Sequence, residues 1–214
     1  MSHFVKKIFV VQLLLVSCLI PFAADAGSGM ERLNKFFDGL ESLRANFEQT
    51  VIDSSAFSLQ ESRGVLIMQR PDKFMWDYQQ PYQQAIIADG EKIYIYDTDL
   101  EQVTIKPMQQ SMGDTPALLL SSGGALDESF VITETGADSG LEWLQLKPKE
   151  QQSNFTMMRL AFDEKTLRVM ELVDSFDQTT RLLFSELQRN PRVDGALFKF
   201  VAPAGVDVIE EQAP

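Results

Sequence analysis

Side chains able to serve as nucleophile, general base or soft metal ligand at neutral pH are scarce in this 214-residue chain, which has one histidine, His3, and one cysteine, Cys18. Both fall in a stretch that reads as a leader. Lys6 and Lys7 precede an apolar run from Ile8 to Phe22 that ends in Ala24-Asp25-Ala26, the charge and small-residue pattern of a secretory signal with an A-x-A cleavage site. The run is too short for a comfortable membrane span of ~20 residues. Cleavage after Ala26 makes residues 1–26 a signal peptide and leaves 27–214 as a single domain without histidine or cysteine. Such a domain has no thiol nucleophile, imidazole base, Ser-His-Asp triad or Cys/His zinc site. Neither catalysis nor a cofactor or metal is expected, and no disulfide supports the fold.

What remains for chemistry is carboxylate. A hydrolase needs only two acidic groups about 5–10 Å apart in a cleft, so a carboxylate-based hydrolase stays open as an alternative. The acidic residues, however, are spread through turns and outward strand positions, the usual places of a solvated surface. Loss of Lys6, Lys7 and Asp25 takes the net charge from −12 to −13, which disfavours nucleic acid as a partner.

The elements that position these groups follow from hydropathy period. Ser28 and Glu31 have capping-box spacing, and Met30, Leu33, Phe36, Phe37, Leu40, Leu43 and Phe47 recur at steps that predict one amphipathic helix. From about Leu59 the period becomes two. Strands are expected over 64–69, 74–78, 84–88, 92–96 and 101–106, separated by Arg70-Pro71-Asp72, Gln80-Pro81, Asp89-Gly90 and Asp97-Thr98-Asp99. Asp114-Thr115-Pro116 opens a very short apolar helix containing Leu118, Leu119 and Leu120. Strands resume over 129–135, 141–146, 155–162, 167–173, 179–187 and 197–201. Connections this short leave no room for crossover helices, so the sheet is expected to be antiparallel and meandering.

Arg70-Pro71-Asp72-Lys73-Phe74-Met75-Trp76-Asp77-Tyr78, with Pro81 and Ala88-Asp89-Gly90 behind it, resembles the periplasmic outer-membrane lipoprotein carrier family, LolA. Leu43-Arg44-Ala45-Asn46-Phe47-Glu48-Gln49-Thr50 is similar to the end of that family's first helix. Ile95-Tyr96-Asp97 with Leu100-Glu101-Gln102-Val103-Thr104 resembles its central hairpin, Gly113 to Leu120 its short lid helix, and Phe198 to Val206 its C-terminal strand and turn. Five such segments in order span nearly the whole mature chain.

The resemblance implies a mainly β fold: an unclosed antiparallel β-barrel of about eleven strands with an α-helical lid over an apolar cavity. It implies a periplasmic carrier that uses no cofactor: acyl chains of outer-membrane-directed lipoproteins are taken from an inner-membrane ABC exporter of the LolCDE type and delivered to an outer-membrane acceptor lipoprotein of the LolB type. A monomer is expected. By strand parity and helix stripe, the cavity candidates are Leu66, Met68, Phe74, Trp76, Tyr78, Ile86, Phe37, Leu40, Leu118 and Leu119; periodicity alone would make them ordinary core. Arg70 shares the parity of Leu66 and Met68, which turns it toward the covered face. The resemblance assigns it hydrogen bonds to lid carbonyls, whereas the residues alone also allow a surface pair with Asp72 or Asp77. A last alternative rests on Leu15-Val16-Ser17-Cys18, which has the form of a lipobox: with Cys18 lipidated, the chain would be an anchored acceptor of the same fold.

Overall fold

The computed structural model describes residues 28–55, 57–108, 120–121, 126–149 and 155–211. One helix, α1 (Gly29–Phe37), precedes a first meander of β1 (Ser42–Ile52), β2 (Ser58–Gln69), β3 (Lys73–Gln80), β4 (Gln84–Asp89), β5 (Lys92–Asp97) and β6 (Gln102–Pro107). A short helix, α2 (Leu126–Ser129), leads into a second meander of β7 (Phe130–Asp138), β8 (Leu141–Pro148), β9 (Phe155–Phe162), β10 (Leu167–Asp174) and β11 (Thr179–Arg189). A 3-10 turn at Gly195–Phe198 and β12 (Asp207–Glu210) finish the chain.

All twelve strands form one sheet in the order β12-β6-β5-β4-β3-β2-β1-β11-β10-β9-β8-β7. The two meanders are joined where β1 runs antiparallel to β11, with Phe47 opposite Phe184. The edges β12 and β7 do not pair, so the barrel is unclosed, as expected, with one strand more than the sequence indicated.

Three expectations need correction. The first helix does not run to Phe47: it ends at Phe37, and Gly39 takes φ +60°, a left-handed conformation suited to glycine. Leu43 and Phe47 instead lie on β1, where Leu43, Ala45 and Phe47 are buried on one face while Arg44 and Glu48 are exposed. A step of four fits both a helix turn and the same face of a strand, which is why the helical stripe seemed to continue. Residues 197–201 are not a strand; Asp194 accepts a hydrogen bond from the Ala196 amide at 3.0 Å and starts the 3-10 turn that buries Phe198. Nor is the sheet wholly antiparallel, because β12 adds parallel to β6.

The core fills the concave face. Leu66 and Met68 of β2, Phe74 and Trp76 of β3 and Phe47 of β1 meet Leu144, Leu160, Phe162, Met170 and Phe184 from the second meander, and α1 covers them with Leu33 and Phe36. Gly64 lets β2 and β3 approach: a Cβ there would stand 1.8 Å from the Asp77 carbonyl oxygen. The end of α1 is tied down by Arg189, whose Nη2 donates to the Asp38 carbonyl at 2.7 Å and whose guanidinium lies 5.8 Å from the Phe36 ring centre.

Candidate functional site

The turn between β2 and β3 brings Arg70 to the mouth of the concave face. Its Nε and Nη2 donate to the Leu120 carbonyl at 3.2 and 3.1 Å, and its guanidinium sits 5.5 Å from the ring centre of Phe37. Two residues on, the Asp72 amide donates to the Ser121 carbonyl at 3.2 Å. The turn therefore holds two successive carbonyls of a helical segment, Leu120–Ser121, that is itself buried. Burial lowers the Arg70 pKa from its ordinary value. A guanidinium partly withdrawn from water is retained where its donors and its flat face are both engaged.

Beside Arg70 lies an open cavity of about 1030 Å³. Met30, Leu33 and Phe37 of α1, with Leu126, Phe130 and Ile132, supply its apolar wall, and the exposed Glu31, Lys35, Asp38 and Asp127 give it a charged border. Below Phe37 the aromatic floor is packed. Phe47 contacts Trp76 and Tyr78 at centroid distances of 5.1 Å each, and the Tyr78 hydroxyl donates to Gln49 Oε1 at 2.9 Å. Burial pushes the Tyr78 hydroxyl up to about 12, with the Gln49 bond opposing the shift. The Trp76 indole Nε1 is buried without a hydrogen-bond partner, an arrangement that costs about 1–3 kcal/mol.

The structure distributes the sequence candidates over three layers. Arg70 and Phe37 line the open cavity. Leu40, Leu66, Met68, Phe74 and Trp76 are buried in the core beneath it, and Tyr78 and Ile86 are partly buried against that core. Leu118 and Leu119 lie outside the described residues. Sequence reasoning missed Phe130 and Ile132, whose alternation on β7 was visible but carried no sign that this distant strand would face α1. It reached lid carbonyls as partners of Arg70 only through the family resemblance and did not single out Leu120, since a backbone acceptor has no signature of its own.

Among the described residues the arrangement is a packed apolar core with Leu120–Ser121 hydrogen-bonded at its rim and an open, partly apolar cavity beside them. Among the described residues no group of three or more histidine, cysteine, aspartate or glutamate side chains is placed to hold a metal. The buried carboxylate among them, Glu171, is held between Arg159 at 3.0 Å and Arg181 at 2.7 Å, a cross-strand ion ladder. No helix among the described residues is long and apolar enough to cross a membrane.

Residues 38–201 match the family described as "Outer membrane lipoprotein carrier protein LolA". A protein of Methylobacillus flagellatus named "Outer-membrane lipoprotein carrier protein" is 40% identical over 205 residues, covering 96% of this chain and all of the relative. A protein of the same name from Methylococcus capsulatus is 44% identical over 192 residues, 89% of this chain and 92% of the relative. Among solved structures, an uncharacterized conserved protein from Thermus thermophilus superposes with a TM-score of 0.53 at 12% identity, covering 85% of this chain and 96% of that one, a likeness of fold.

Proposed function

The chain belongs to the LolA family of outer-membrane lipoprotein carrier proteins, and from that premise we propose that it shields the acyl chains of lipoproteins in its own apolar interior while they cross the periplasm. Residues 1–26 are removed on export and 27–214 act as one carrier domain. Cargo comes from an inner-membrane ABC exporter of the LolCDE type and leaves to an outer-membrane acceptor of the LolB type.

The observation that carries this reading is the hold of Arg70 on Leu120 above an apolar core with an open entrance at its side. Each methylene taken from water into an apolar site gains about 0.8 kcal/mol, so the acyl chains of one lipoprotein represent roughly tens of kcal/mol that the carrier must offset. A cavity of about 1030 Å³ is of the order that holds one drug-sized ligand. Full loading therefore requires the cover and α1 to part from the core and expose Leu40, Leu66, Met68, Phe74, Trp76, Tyr78 and Ile86. Arg70 opposes that opening. It favours the closed, empty state and so helps release cargo to an acceptor that binds more tightly, since ligand moves toward lower free energy.

Native mass spectrometry of the protein purified from its own periplasm tests the reading. A co-eluting acylated lipoprotein in one-to-one ratio is expected. Protein that is uniformly empty, and that also fails to take up a synthetic triacylated lipopeptide, would overturn it.

A further inference from the structure

The hairpin of β1 and β2 outruns its neighbour. The last pair between β2 and β3 is Arg63 with Gln80, whereas β1 and β2 stay paired out to Ile52 and Ser58. Ser58–Ser62 therefore project about 17 Å past the end of β3 at ~3.3 Å per residue. Their one side is backed by β1, which is itself paired to β11 through Ile52 and Thr179. Their other side has no strand partner among the described residues.

A cleft of about 610 Å³ lies in this step, lined by Glu48, Gln49, Thr50, Glu61, Ser62, Arg63, Gln80 and Pro81. Large apolar side chains stand exposed around it: Phe57 (75%), Leu59 (55%) and, beyond Pro81, Tyr82 (68%). Phe57 is held firmly, because its amide and that of Ser55 both donate to Asp53 Oδ1 at 2.9 Å. The adjoining β10–β11 turn repeats the pattern, with Phe176 81% exposed and its amide donating to Asp174 Oδ1 at 2.8 Å. The charges in and around the step are Glu48, Glu61, Asp53, Asp174 and Asp177 against Arg63 and Arg181, and Arg181, opposite Thr50, is already paired with Glu171 at 2.7 Å.

We propose that this step is a docking site for an extended, lysine- or arginine-bearing segment of a partner protein, which adds as a strand to the free edge of β2. Strand addition satisfies the unpaired amides and carbonyls of Ser58–Ser62, while alternate side chains of the incoming segment reach either the acidic groups or the exposed aromatics. The acidic surround disfavours an anionic membrane as occupant and favours a basic peptide. Asp53 and Asp174 already hold the amides of Ser55, Phe57 and Phe176 before binding, which lowers the ordering cost of the contact. The site does not depend on what the interior holds.

Hydrogen exchange on the whole mature chain tests the proposal, with three probes: an alternating Lys/Val octapeptide, its Glu/Val counterpart, and vesicles rich in anionic lipid. At saturation the Lys/Val peptide is expected to slow exchange within 58–62 at least tenfold. The effect should vanish when alternate peptide amides are N-methylated, and Glu48→Lys with Glu61→Lys should weaken binding at least tenfold without changing uptake of triacylated lipopeptide. No protection by the Lys/Val peptide, equal protection by the Glu/Val peptide, protection confined to other segments, or protection by the vesicles would each overturn it.

Discussion

Replacing Arg70 with leucine removes the side-chain contacts of the cover and leaves the fold's own bonds in place, since the Arg70 amide still donates to the Glu41 carbonyl at 2.8 Å. The two guanidinium bonds share one acceptor, the Leu120 carbonyl, and together count as one charge-assisted interaction of about 1.5–3 kcal/mol. The contact with Phe37 adds about 0.5–1 kcal/mol at a partly exposed site. The variant's leucine recovers some apolar contact, so the closed state should lose about 2–3 kcal/mol relative to the open one, or roughly 30- to 150-fold in the equilibrium, at 1.4 kcal/mol per tenfold. The assay is transfer of a fluorescent triacylated lipopeptide from the purified carrier to a purified acceptor. Arg70→Leu should load normally, retain cargo longer and hand it over at least tenfold more slowly; Arg70→Lys, with a point charge in place of a planar fork, should fall between. Handover as fast as wild type, with loading intact, would refute the reasoning.

Two further outcomes follow from the same structure. Tyr78 has its pKa raised from 10.0 to about 12 in the folded state, so the folded protein holds that proton more tightly than the unfolded chain; stability is full below pH 10, falls as pH rises from 10 to 12 by about 2–3 kcal/mol, and levels off beyond. Urea unfolding across that range should show the decline, and Tyr78→Phe should flatten it. Gly64→Ala drives a Cβ into the Asp77 carbonyl, so β2 and β3 must separate; a loss of about 3 kcal/mol is expected, read as a lower urea midpoint, and an unchanged midpoint would show that the strands have room to spare.

Most strands were legible because half-buried β structure leaves a period of two, as in Leu66 and Met68 or Phe74 and Trp76. The parity of Arg70 with Leu66 was likewise readable, and its partly buried guanidinium lies against the Phe37 ring and the Leu120 carbonyl. What the chain hides is anything decided by distant partners. Leu43 and Phe47 satisfy a helix stripe and a strand face equally, and only pairing of β1 between β2 and β11 decides for the strand. The aromatic residues of 198–201 look like a strand, yet Phe198 is buried and Phe200 stacks on Tyr94 at 5.3 Å. The parallel docking of β12 on β6 pairs residues over a hundred positions apart, flanked by Lys92 with Glu210 at 2.7 Å and Lys106 with Glu211 at 3.1 Å. The entrance itself is shared by α1 and β7, which no local pattern connects.

Trp76 offers the most direct view of whether acyl chains reach the interior. The chain has two tryptophans, and Trp143, which lies on β8 under the Arg159 guanidinium at 4.6 Å, can be replaced by phenylalanine to leave Trp76 as the sole reporter. A triacylated lipopeptide with brominated acyl chains should then quench Trp76 fluorescence in step with binding, while an unbrominated one should not. Stoichiometric binding of the brominated ligand with Trp76 emission untouched would mean that the tails lie elsewhere, and that this interior stays shut.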